Sequence, residues 1–207
     1  MSAGKAVIYI VEDDASFRKS IERLIRASGF EAVSFESANA FLAQRSIHHP
    51  ACLLLDVQLP DIDGPLLQQK LIEKGSTLPI IFMTGHGTIP MGVQAMKKGA
   101  VDFLPKPFEA KDLRSAILKA LERDSQNRKK ELQAKNINFL IDTLTPREKE
   151  VLRWVITGKL NKQIARALGT SEKTIKVHRG RVMQKTKASS VAQLVRLAEK
   201  VNIPPAA

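Results

Sequence analysis

The chain has 207 residues, 43% apolar and 26% charged, with a formal net charge of +12 at pH 7, which suits one or two folded domains rather than a disordered or fibrous protein. Its longest apolar runs, 6–11 and 51–55, are far shorter than the roughly 20 residues that cross a bilayer; the first is also too short for a secretory leader, and the single cysteine, Cys52, excludes an internal disulfide and a cysteine-based zinc cluster, so the expected location is the cytoplasm. Residues 1–123 carry 15 Lys and Arg against 14 Asp and Glu, whereas 124–207 carry 18 against 7, and a basic block of domain size points to an anionic polymer, most simply nucleic acid.

In chain order, residues 7–11 are a continuous apolar run and read as a buried strand. Residues 15–28 follow with Phe17, Ile21, Leu24 and Ile25 at helical spacing, and Gly29 stands where a helix would stop. A strand at 32–35, a short helix at 38–44, a strand at 52–55, a loop at 60–64 and a helix at 66–73 come next. The pattern continues with a strand at 80–83, a helix at 91–98 closed by Gly99, a short strand at 101–104 and a helix beginning at 110–121. Continuous apolar strands alternating with helices predict a parallel α/β sheet covered on both faces.

From 124 to 142 the chain turns polar without Gly or Pro, which predicts a partly helical linker with a solvated basic run at 128–130. Beyond it, four helices and no strand are expected. Thr145-Pro146-Arg147-Glu148 is a helix start with a Thr cap, Pro at the first position and Glu three residues on. Gly158 ends that helix, 161–168 is a short one stopped by Gly169, Ser171 caps a third over 171–185, and 191–200 is the fourth. Two helices joined by Leu168-Gly169-Thr170-Ser171 have the connection of a helix-turn-helix DNA reader. The domains expected are therefore 1–123, a linker over 124–142, and 143–207.

Chemistry-bearing residues fall at the ends of the predicted strands: Glu12 and Asp13 after the first, Asp56 at the third, Thr84 at the fourth and Lys106 after the fifth. In an open parallel sheet of order 2-1-3-4-5 these ends meet at the crevice where ligands bind. Three carboxylates so close repel one another unless a cation lies among them, and hard oxygen donors suit Mg²⁺. Singly, each residue reads equally well as a surface charge or a cap; as a set of strand-end placements they read as a site. His86, in a Gly-His-Gly loop, and His48-His49 before Pro50 read as loop residues, Cys52 as inert core, and Trp154, beside Val151, Leu152 and Val155, as core.

Residues 7–121 resemble a response-regulator receiver domain. The matching segments are Ile10-Val11-Glu12-Asp13-Asp14, Leu55-Asp56 through Asp63-Gly64, Met83-Thr84-Gly85-His86-Gly87 and Phe103-Leu104-Pro105-Lys106-Pro107-Phe108. The resemblance implies a flavodoxin-like fold. It makes Asp56 the acceptor of a phosphoryl group from a sensor histidine kinase. Mg²⁺ is then held by Asp13, Asp56 and the backbone carbonyl of Gln58, with Glu12 helping through water where relatives often have Asp. Thr84 and Lys106 contact the phosphoryl oxygens, Phe103 is the aromatic whose rotamer follows Thr84, and Lys106–Pro107 is a cis bond. Residues 144–197 resemble a LuxR-type helix-turn-helix domain through Leu144–Leu152, Asn161-Lys162-Gln163-Ile164-Ala165 and 171–178.

That second resemblance puts the helix at 171–185 in the major groove. Lys176 and Val177 match base-edge positions, Thr174 and His178 lie along the same helix, and Lys173, Arg179, Arg181 and Lys185 are expected on phosphate. Gly180 departs from the usual helix former there. Together the two halves are similar to the FixJ-like branch of two-component response regulators. They imply a transcription regulator rather than an enzyme, with a cognate kinase and double-stranded promoter DNA as partners and RNA polymerase as a further candidate. Phosphorylation is expected to drive homodimerisation through 91–118, with no membrane involved. Two other readings are an aspartyl-phosphate hydrolase, disfavoured because Asp56-Val57-Gln58 lacks the second acid of an Asp-x-Asp run, and a constitutive DNA binder, disfavoured by the intact Asp56, Thr84 and Lys106.

Overall fold

The apolar runs of the first half become one sheet in the computed structural model, which describes residues 5–85 and 96–206. Strands β1 (Val7–Val11), β2 (Glu31–Phe35), β3 (Ala51–Asp56), β4 (Ile80–Thr84) and β5 (Asp102–Pro105) run parallel in the order β2-β1-β3-β4-β5. Side chains alternate across a strand, and both faces are buried. Val7, Tyr9, Val11, Leu53, Leu55 and Phe82 pack on one side, and Ile8, Ile10, Cys52, Leu54, Ile81 and Met83 on the other. Double-sided burial is why β1, β3 and β4 read as unbroken apolar runs rather than as alternating ones.

Helices α1 (Ala15–Ala27), α2 (Ala38–Leu42) and α3 (Gly64–Glu73) each start on a capping side chain, Asp14, Ser37 and Asp63. α3 begins two residues before the expected position because Asp63 caps it and Pro65 occupies its first turn. The helix expected at 91–98 falls for the most part on residues 86–95, outside the described residues, as does His86.

Helix α4 runs unbroken over Ala110–Asp142, so the segment expected to be partly helical is helical throughout. The polar stretch is also less free than its composition suggests. Asp124 is fully buried. Its carboxylate meets His49 Nδ1 at 2.8 Å and Arg128 Nε at 3.1 Å, and accepts the Ala51 backbone N–H at 3.3 Å. The chain separates into two units, Met1–Arg128 and Lys129–Ala207.

The second unit is all-α: the end of α4, then α5 (Pro146–Val155), α6 (Asn161–Ala167), α7 (Glu172–Thr186) and α8 (Val191–Lys200). Its core gathers Ile137, Ile141, Val151, Leu152, Val155, Ile164, Ile175, Val182 and Leu194, with Trp154 packed against it. The expected capping box is present: Thr145 accepts the Glu148 N–H, and the Glu148 carboxylate accepts the Thr145 N–H. No helix among the described residues is long and apolar enough to cross a membrane.

Candidate functional site

The strand register fixes the first site. β1 and β3 are neighbours, with Val11 opposite Leu55, so Glu12, Asp13 and Asp56 emerge side by side at one end of the sheet. Each offers a carboxylate oxygen within 4.8 Å of the others. Glu12 and Asp56 are buried, and Asp13 is exposed. Lys106, just after β5, reaches across and donates to Glu12 Oε2 at 2.6 Å and to Asp56 Oδ2 at 2.8 Å. The Lys106 backbone N–H donates to the Thr84 carbonyl at 2.6 Å, continuing the β4–β5 pairing to the site, and the Lys106–Pro107 bond is cis. Thr84 is buried at the end of β4, while Phe103 is half-buried against the core on the β5 side. Gln58 is exposed and donates its N–H to Asp56 Oδ1 at 3.2 Å.

The electrostatics follow from burial. Desolvation pushes the Glu12 carboxyl up, and the Asp56 charge adds to this, while the hydrogen bond from Lys106 partly offsets it. Burial works against the charge on Lys106, but its hydrogen bonds to Asp56 and Glu12 prevail and hold the ammonium above the ordinary lysine range. Three carboxylates against one lysine leave excess negative charge, and all three present hard oxygen donors. This donor set fits a small divalent cation such as Mg²⁺.

Three features here escaped the sequence reading. Arg18 Nη1 donates to the carbonyls of Glu12 at 2.6 Å and Asp13 at 3.0 Å, which holds the acidic loop against α1. Asp61, in the loop after β3, accepts the backbone N–H groups of Asn39 at 2.8 Å and Ala38 at 3.2 Å. Gly64 lets the start of α3 press on the end of β3: a Cβ there would lie 2.5 Å from the Asp56 carbonyl oxygen. Cys52 is fully buried, and burial pushes its thiol well above the ordinary range, so it is inert as expected.

In the second unit, α6 and α7 are joined by a tight turn in which Gly169 has φ +61° and Ser171 caps α7 by accepting the Thr174 N–H at 3.1 Å. Arg147 Nη2 donates to the Leu168 carbonyl at 2.8 Å and ties α5 to that turn. Ile175 and Val182 face the core. At 100° per residue the opposite side of α7 comprises Lys173, Lys176, Val177, Gly180, Arg181 and Gln184, all exposed. Gln184, one more polar group on this face, was missed by sequence reading although it stands seven residues after Val177. Thr174, His178 and Arg179 are half-buried, and the Arg179 guanidinium donates to Asn161 Oδ1 at 3.0 Å. A Cβ at Gly180 would meet nothing within 4 Å.

Lys185 has partners inside its own domain. Its ammonium bonds the buried Glu148 carboxylate at 2.6 Å and the Thr143 carbonyl at 3.1 Å. That hydrogen bond and the one from the Thr145 N–H hold the Glu148 carboxyl below its usual range.

Comparison with known proteins places each unit in a family. Residues 8–118 match the family model for the response regulator receiver domain, and residues 142–198 match that for bacterial regulatory proteins of the luxR family. The chain is 46% identical to Nodulation protein W of Bradyrhizobium diazoefficiens over 96% of its own length and 88% of the relative. It is 40% identical to the transcriptional regulatory protein FixJ of the same organism, covering 96% of this chain and 97% of that one. Among solved structures, the response regulator StyR is similar at a TM-score of 0.74 and 43% identity, covering 95% of this chain and all of that one (100%). Full-length FixJ from B. japonicum is similar at a TM-score of 0.59 and 40% identity, over 97% and 99% of the two chains. The chain belongs to the FixJ-like two-component response regulators, which join a receiver domain to a LuxR-type helix-turn-helix domain and regulate transcription.

Proposed function

We propose that Asp56 is the phosphoacceptor through which a sensor histidine kinase controls promoter binding by the second unit. The observation that carries this is the contact of Lys106 with Asp56 at 2.8 Å, at the strand end where Glu12 and Asp13 converge. In the transfer, an Asp56 carboxylate oxygen attacks phosphorus, the P–N bond to the donor histidine breaks, and the leaving imidazole keeps the nitrogen electron pair and takes up a proton. The result is an acyl phosphate. Such transfers depend on positioning and charge neutralisation more than on nucleophile strength. Lys106 supplies positive charge, and the Thr84 hydroxyl donates to a phosphoryl oxygen once one is present. Asp13, Asp56 and the Gln58 carbonyl would hold Mg²⁺, with Glu12 acting through water, and the ion when bound would neutralise charge on the phosphoryl oxygens. Phosphorylation then shifts Thr84 and Phe103 and favours dimerisation through 91–118, part of which lies outside the described residues.

On DNA, α7 enters the major groove. Lys176 and Val177 read base edges, with Thr174 and His178 beside them, while Lys173, Arg179, Arg181 and Lys185 hold phosphate. A dimer places its half-sites about one helical turn, roughly 10 bp, apart. Labelling from acetyl phosphate tests the acceptor. Incorporation should require Mg²⁺, stop on chelation and vanish in Asp56→Asn; full labelling of the Asn variant would falsify the assignment.

A further inference from the structure

We propose that Phe17 is a positioning residue for Lys106, holding its ammonium toward Glu12 and Asp56 through the face of its ring; this rests on the reading of Asp56 as phosphoacceptor. Lys106 Nζ lies 4.4 Å from the centroid of the Phe17 ring. An ammonium has three N–H donors. Two are engaged by Glu12 and Asp56, and the ring covers a further side. An aromatic face attracts the cation but offers no lone pair that could draw it out of the site. The Lys106 side chain is consequently only 17% exposed.

Phe17 is itself held from two directions. Asp14 caps α1 by accepting the Ser16 and Phe17 N–H groups, both at 2.8 Å. Arg18 binds the Glu12 and Asp13 carbonyls, so the first turn of α1 is tied to the acidic loop. From the other side, Phe108 meets the Phe17 ring edge-on, with centroids 6.0 Å apart and planes at 72°. Phe108 stands two residues after Lys106, so the aromatic pair fastens the lysine's own segment to α1. An aliphatic residue at 17 would fill the volume but lack the ring quadrupole. The expectation is that losing the ring lets Lys106 turn toward water and slows phosphoryl transfer, while Glu12, Asp13 and Asp56 stay in place.

Two readouts on the full chain test this. In the metal-free protein, the Lys106 ε-methylene protons should be shifted upfield by the ring current; Phe17→Leu should abolish the shift and Phe17→Tyr should keep it. With Mg²⁺ and acetyl phosphate, replacing Phe17 by phenylalanines carrying one, two and three ring fluorines changes shape little but weakens the face stepwise. The labelling rate should fall in the same order, by about threefold to tenfold in all. A normal, unshifted Lys106 resonance in the unsubstituted chain, or an equal rate across the fluorinated series, overturns the proposal. Absence of labelling in the unsubstituted chain overturns the phosphoacceptor reading and with it any role for Phe17 in phosphorylation, even if the upfield shift is present.

Discussion

At Gly64 the end of β3 and the following helix touch backbone to backbone. A Cβ would sit 2.5 Å from the Asp56 carbonyl and 3.0 Å from the Val57 Cα, and neither atom can swing aside as a flexible side-chain tip could. Gly64→Ala should therefore cost about 1–3 kcal/mol and slow labelling of Asp56. Urea denaturation alongside acetyl phosphate labelling checks both, and an unchanged midpoint would show that the end of β3 yields freely. Glu148 makes a different kind of prediction. Its carboxyl lies below the ordinary value of 4.5 in the folded protein, so the unfolded chain binds the proton more readily. The stability it contributes is fully present above about pH 4.5 and is lost as pH falls through the lower folded-state value. Trp154, the single tryptophan, packs on the core of this unit and reports its unfolding. Glu148→Gln should be less stable at neutral pH and should flatten the acid limb of the urea midpoint between pH 5 and pH 3; equal acid slopes for the two proteins would show that another carboxyl governs it.

At the scale of elements, what the chain revealed in advance depended on how local each cause is. Strands β1, β3 and β4 were legible because each is buried on both faces and so written as a continuous apolar run. The Thr145–Glu148 helix start was legible because a capping box acts within four residues. The course of α4 beyond 121 was not, since a polar helix without an apolar stripe gives no period to read, and the absence of Gly and Pro permits helix without requiring it. The burial of Asp124 was not legible because its partner His49 is 75 residues away, nor was the bond of Lys185 to Glu148, 37 residues away. Phe17 has ordinary core spacing, and only the approach of Lys106 to its ring distinguishes it. The exposed face of α7 yields the prediction at this scale. Lys176→Ala should cost about 1–3 kcal/mol on the preferred duplex and flatten discrimination at one base position. Arg181→Ala should weaken all duplexes alike and lower the salt slope by about one unit. Binding to matched and scrambled duplexes over a salt series separates the two, and the opposite assignment of effects would mean that the helix meets DNA through a different register.

At the scale of the whole molecule, a near-neutral unit carries the carboxylate site and a basic unit carries the helix-turn-helix, and the proposed function has a phosphoryl group on Asp56 act on DNA binding through assembly. A phosphoryl group can shift that balance only by the difference in its affinity for two states. Couplings of this kind are typically about 1–3 kcal/mol, or roughly 5–150-fold in an equilibrium constant. On the proposed function, a dimer constant changed by that factor would bring two copies of α7 to paired half-sites. Sedimentation velocity of the full chain with Mg²⁺, with and without beryllofluoride as a phosphoryl mimic, tests this most directly. The expected result is a monomer boundary that moves to the dimer mass on adding beryllofluoride and an Asp56→Asn variant that does not respond. A boundary that never shifts at concentrations where DNA binding saturates, or one that shifts equally in the Asn variant, would contradict control through Asp56.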